Sequence, residues 1–256
     1  MGMAYQKGFL RLEGGSMGDT TFSKKQGKYR ASEKIVTVSK HKWKFDPEFK
    51  VRRELAAEFG RGVKAARLVR LGANQLVRGK DISISNRLNK LMLEVIDMDV
   101  SSGLRQGKIL DEHVKHALGF NFNKNVSLRS VLSTKVSTNI NRATGEVALH
   151  IPSFIPSAKV KAPKGTTHFR IVAAGQALNF EGNQIDGSKI ISDLIPWTDM
   201  ATEDLNITFS IPQNSSFPVF VYLGIQFEQV VMNVEYSVGN YKLNPVCIID
   251  IDVKKQ

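Results

Sequence analysis

The sequence predicts an α+β fold: a basic N-terminal arm and a small helical group, followed by a C-terminal antiparallel β-sandwich. Three observations carry this. Residues 44–79 repeat apolar side chains at intervals of three and four, the period of a helix with one buried face. From Asn121 onward, short apolar runs alternate with turn signals and no helical period separates them, the pattern of a sandwich. The charge is also divided: residues 1–125 hold 25 Lys and Arg against 13 Asp and Glu, and residues 126–256 hold 11 of each. Three segments follow, a basic arm over 1–45, a helical region over 46–120 and a sandwich over 121–256.

The arm is rich in Gly and Lys. Gly14-Gly15 and Gly18-Asp19 read as turns. Thr20–Ser23 and Lys28–Ala31 flank Lys24–Gly27 as the two sides of a hairpin, with Phe22 and Tyr29 as its apolar contacts. Residues 32–44 alternate too irregularly for a strand. The arm is expected either as a flexible basic tail or as a strand that needs a partner surface.

Asp46-Pro47-Glu48 is a helix start. The Asp46 carboxylate can accept from first-turn N–H groups, Pro47 needs no donor there, and Glu48 favours the positive end of the dipole. Leu55, Phe59, Gly62, Ala66, Val69, Ala73 and Leu76 form one apolar stripe. Gly60 and Gly62 each cost about 1 kcal/mol in a helix interior. The spacing predicts two helices over 47–59 and 62–78, the alternative being a close approach by another part of the chain. Further helices are expected over 85–97, with Ser85 as N-cap and Lys90–Glu94 as an ion pair, and over 109–118, stopped at Gly119.

Strands are expected at 128–139, 145–151, 167–180, 188–194, 204–211, 217–228, 230–238 and 241–253. Leu205, Ile207, Phe209 and Ile211 alternate with polar residues, as on a half-buried strand. Phe217–Phe227 is nearly all apolar and reads as a central strand covered on both faces.

Candidate partner or phosphate contacts are Arg52, Arg53, Arg61, Lys64, Arg67, Arg70 and Arg78. In the run from Arg61 to Arg70, each step of three falls about 60° short of a full turn, so the charges wrap around half the helix. That distribution suits phosphates or an acidic partner, and equally a solvated face. Trp43 and Phe45 alternate with Lys42 and Lys44. They are candidate aromatic contacts for bases, or the staple that fixes the helix entry at Asp46.

Catalytic signatures are weak. His113 and His116 lack the spacing of a zinc-protease pair. Cys247, the single cysteine, lies among Val246, Ile248 and Ile249 and reads as an inert buried thiol. No metal or cofactor is expected. Asp250 and Asp252 read as an exposed strand face, and Asp199, Glu203 and Asp204 in the loop 196–204 are the best guess at a polar mouth. No apolar run approaches the length of a membrane span, and the start lacks a secretion signal. The chain is expected in the cytoplasm, or in a particle assembled there.

The order Gly18-Asp19-x-x-Phe22, Tyr29-Arg30, Asp46-Pro47-x-Phe49, Glu58–Arg61, Asn141–Glu146, Thr167–Arg170 and Leu223–Phe227 resembles a family of uncharacterised proteins from Bacteroidota bacteria. The resemblance runs over most of the chain and implies no activity. The expected function is a non-enzymatic structural or protein-interaction role, with itself or another protein as partner and self-assembly through the arm as one form. The alternative is nonspecific nucleic-acid binding by the basic helices.

Overall fold

The computed structural model describes residues 3–7, 11–34, 38–77 and 81–254. Contacts divide the chain into two units, Met1–Arg53 and Glu54–Gln256.

In the first unit, β1 (Met3–Tyr5), β2 (Gly14–Met17), β3 (Thr20–Lys25) and β4 (Lys28–Glu33) form one antiparallel sheet in the order β1-β4-β3-β2. The expected hairpin is present, with Lys25 facing Lys28 across Gln26-Gly27. Both turn residues have positive φ, 53° and 74°, the turn geometry that matches strand twist. The four strands of the arm pair with one another, with β2 at the edge of the sheet. Gly14 and Gly15 belong to β2 and pair with Ser23 and Phe22 instead of forming a turn. After residues 35–37, which lie outside the description, Ser39 caps α1 (Lys40–Phe45) by accepting from the Lys42 N–H at 3.2 Å. Asp46 then accepts from the Glu48 N–H at 3.0 Å, as the helix-start signal predicts.

One helix replaces the expected pair. α2 (Lys50–Gly72) begins in the first unit and runs unbroken through Gly60 and Gly62. Close approach explains Gly62: a Cβ there would sit 2.8 Å from Leu93 Cδ2. Leu93 belongs to α3 (Ile84–Asp97), so the glycine that weakens the helix locally is what lets α3 pack on it. α3 starts one residue before Ser85, so Ser85 is not its N-cap. The Ser85 hydroxyl instead accepts from Arg70 Nη1 at 2.9 Å. The Lys90–Glu94 pair is present at 3.8 Å. The segment after it is a 3₁₀ helix, Asp111–Ala117, and Gly119 turns the chain at φ +83°.

The expected strand over 128–139 is corrected in its first half. Leu128–Val131 is one helical turn, α4, whose N-cap Ser127 accepts from the Ser130 N–H at 3.2 Å. Leu128, Val131 and Leu132, spaced by three and four, are all buried. The strands that follow are β5 (Ser137–Asn141), β6 (Glu146–Ile151), β7 (His168–Asn179), β8 (Gln184–Ile191), β9 (Ile195–Pro196), β10 (Leu205–Ser210), β11 (Val219–Val231), β12 (Val234–Ser237) and β13 (Val246–Asp252), with the short helix α5 (Pro156–Lys159) after β6.

The second unit has three layers. β10-β6-β5 is a small antiparallel sheet. It faces a six-stranded antiparallel sheet built on β12-β11-β7-β8, with β13 also on β11 and β9 on β7. Residue parity sorts the two cores. Val219, Val221, Leu223, Ile225 and Phe227 of β11 meet Val147, Leu149, Ile151 and Phe209 of the small sheet. Phe220 and Tyr222 meet Val69, Ala73, Leu88 and Met92 of the helical layer. β11 is therefore covered on both faces, as its apolar run predicts. The helical layer and the sandwich share this large sheet as their common wall.

Two carboxylates tie the helical layer together. Asp81 accepts from the Ser83 N–H at 2.8 Å, the Ser83 hydroxyl at 2.6 Å, Arg87 Nη2 at 2.8 Å and the Lys124 N–H at 3.2 Å. Burial pushes its carboxyl up, but the Ser83, Lys124 and Arg87 bonds outweigh that and bring it down to about 2. Asp99 is held well below the usual carboxylate range by the Ser101 hydroxyl, Ser102 and the Lys108 N–H. Both groups are lowered in the folded state, so their stabilisation is complete above about pH 4 and is lost as pH falls toward 2. Urea unfolding across that window is expected to show the loss. Asp81→Asn should flatten the Asp81 share, about 1–2 kcal/mol after allowance for solvent screening. No helix among the described residues is long and apolar enough to cross a membrane.

Candidate functional site

The cations on α2 divide by use. Arg53 Nη1 donates to the Trp43 carbonyl at 2.7 Å and the Asp46 carbonyl at 3.0 Å, closing the turn between α1 and α2. Arg61 Nε donates to the Gly107 carbonyl at 2.8 Å and its Nη2 to the Arg105 carbonyl at 3.0 Å, pinning the loop after α3. Arg52 lies over the Phe49 ring at 5.3 Å, and Arg70 holds Ser85. Lys64 and Arg67 are exposed. Arg78 lies outside the described residues. Half of the described cations in this row are thus occupied by their own chain's carbonyls or hydroxyls, which the spacing alone does not reveal.

Of the aromatic pair, Trp43 packs against buried Phe49 with ring centroids 5.5 Å apart, as a staple at the helix entry. Phe45 is 61% exposed and stands beside His41.

A second cationic surface lies on the sheet of the first unit. Register places Tyr5 opposite Arg30, Ser23 opposite Arg30, and Lys25 opposite Lys28, so these residues share one face. Arg30 lies 5.8 Å and Lys28 5.9 Å from the Tyr5 ring centre. Tyr5 is half exposed, and the Arg30 Nε is buried with no acceptor among the described residues. The opposite face carries Phe22, Lys24 and Tyr29. There Glu13 takes a bond from Lys24 and another from the Tyr29 hydroxyl at 3.2 Å. That contact lowers the Glu13 carboxyl and raises the Lys24 ammonium. One face is therefore neutralised by a carboxylate. On the other, no ion pair involves Lys25, Lys28 or Arg30 among the described residues.

A cleft of about 950 Å³ in the second unit is lined by Asp111, Glu112, Lys115, Phe180, Glu181 and Lys254 among others. Burial and the Glu181 charge push the Asp111 carboxyl up, with Arg142 opposing. The lining comes from segments far apart in sequence, so no single spaced motif reveals it. Lys115 and Lys254 offset two of the three acids in the lining.

The loop 196–204 is stitched to the chain around α5. Asp204 accepts from the Ser153 N–H at 2.8 Å, Asp199 accepts from the Ser157 hydroxyl, and Trp197 Nε1 donates to the Val160 carbonyl at 2.9 Å. Asp250 accepts from the Thr138 hydroxyl of the small sheet, and Asp252 takes Arg142 Nε at 2.5 Å. The reading of these two as an exposed strand face is corrected: both are partly buried and bonded. His113 and His116 each meet a glutamate, Glu112 at 3.4 Å and Glu94 at 3.3 Å. Burial pushes the Cys247 thiol up to about 11, which disfavours the thiolate. No family model, curated protein or solved structure matches this chain.

Proposed function

We propose that the chain is a non-enzymatic structural or interaction protein. In this reading Glu54–Gln256 is the scaffold and Met1–Arg53 carries the interaction, with itself or another protein as partner. Its place is the cytoplasm or a particle assembled there. The observation that carries the reading is β2. Among the described residues it is an edge strand of its sheet, and all four of its residues are exposed, Met17 at 71%. An uncovered edge strand presents unpaired N–H and C=O groups to which another chain can add a strand. The bonded state of Asp199, Asp204, Asp250 and Asp252 supports it further, since these carboxylates serve the fold.

Self-association through β2 is the most direct form. Light scattering on the sized full chain is expected to give a species larger than a monomer, and Met17→Lys to return it to the monomer. A full chain that stays monomeric at every concentration, and captures no protein through Met1–Arg53, sinks the reading.

A further inference from the structure

We propose that the sheet face bearing Tyr5, Lys25, Lys28 and Arg30 binds single-stranded nucleic acid without sequence preference. The inference rests on reading the first unit as the interacting element.

Charge complementarity commits the face to an anion. Lys25 and Lys28 stand directly opposite each other across the hairpin. Like charges so paired destabilise a sheet. The other face carries Glu13 on its lysine, while this one brings three cations together with no ion pair among the described residues. An external anion supplies the missing countercharge.

The remaining features select the anion. Lys28 and Arg30 are two residues apart on one strand, roughly 7 Å along it. Both lie over an exposed tyrosine ring, 5.9 and 5.8 Å from its centre. An exposed ring with cations close to it offers a stacking platform with phosphate contacts nearby, the usual arrangement for single strands. An acidic peptide would use the charges and leave the ring idle. Ser23, paired with Arg30, and Ser32, two residues further along β4, add short hydroxyls to the face. Stacking on a ring accepts any base, so sequence preference is weak. A duplex would hide its bases from Tyr5.

The test is fluorescence anisotropy of the full chain with a labelled oligothymidylate of about twelve nucleotides, against a duplex of the same length. About three phosphate contacts predict roughly a 20-fold loss of affinity between 50 and 200 mM salt. Tyr5→Ala should weaken binding roughly tenfold and Tyr5→Phe should not, because stacking needs the ring alone. Lys25→Gln with Lys28→Gln should weaken binding and flatten the salt slope. Tyr5, Lys25 and Lys28 are exposed, and circular dichroism checks that each variant folds. Lys64→Gln with Arg67→Gln, on α2, should leave binding unchanged. The proposal is overturned if the duplex binds as tightly as the single strand, or if the α2 pair abolishes binding while the sheet variants do not. It is also overturned if polyglutamate or anionic vesicles bind while the oligonucleotide does not. Failure here with self-association intact removes this inference and leaves the interaction reading standing. Failure of both removes the reading as well.

Discussion

Gly72→Val is expected to lower stability by about 3 kcal/mol, near the upper end for an overpacked core. A Cβ at Gly72 would lie 2.5 Å from the Tyr222 hydroxyl and 2.8 Å from its Cζ. The ring cannot yield easily. Tyr222 is fully buried, sits on the central strand β11, touches Phe122 and Phe220, and donates to the Val69 carbonyl at 3.2 Å. Burial pushes its hydroxyl far above the usual tyrosine range, so it stays neutral and remains a donor. An added side chain must lift α2 off the sheet or displace the ring, and either breaks that bond. Gly72→Ala gains about 1 kcal/mol of helix propensity, yet should still destabilise. Combining it with Tyr222→Phe removes the 2.5 Å contact, so the double variant should be less destabilised than the two single changes add up to. Strict additivity in denaturant unfolding would refute the contact.

Arg142→Ala is expected to cost about 3 kcal/mol, the range for removing one partner of a partly buried charged network. Its guanidinium bonds Asp252 through Nε at 2.5 Å and the Asp252 carbonyl through Nη2 at 3.0 Å. Nη1 reaches the Ser215 carbonyl at 2.7 Å and the Phe217 carbonyl at 2.9 Å. One side chain thus clamps the end of β13 to the turn between β5 and β6 and to the entry of β11. Lysine is a poor substitute, because a single ammonium cannot meet this fork of acceptors. Arg142→Lys should recover less than half of the loss in thermal or urea unfolding. Full recovery would mean that charge alone matters there.

The sequence makes visible whatever depends on local period. Leu205 to Ile211 announce β10 by alternation, and the Phe217–Phe227 run announces a strand with two covered faces. Asp46-Pro47-Glu48 announces a helix start. Contacts between distant segments are invisible to the same reading. Gly62 looks like a helix breaker because Leu93, its reason, lies on another helix. Arg142 reads as an ordinary turn residue because its acceptors lie 73 to 110 positions away. Arg53 and Arg61 read as surface charge because the carbonyls they bind carry no side-chain signature. The Tyr5–Arg30 face is hidden for a related reason: strand order, which places β1 beside β4, decides which basic and aromatic residues meet.

That β11 and β13 come so much later in the chain than α2 and α3 has a consequence for synthesis. Every layer of the second unit needs the large sheet, yet β11 ends at Val231 and β13 spans Val246–Asp252. While the ribosome makes the chain, α2 and α3 emerge with their apolar stripes long before the strands that cover them. The first unit closes its four strands within residues 3–33 and can mature early. The stripe from Ala65 to Leu76 stays uncovered until β11 and β13 have been made. A nascent chain of this kind invites chaperone capture at that helix. Truncation near the C-terminus should therefore harm the remote α2–α3 layer more than the nearby hairpin of the arm.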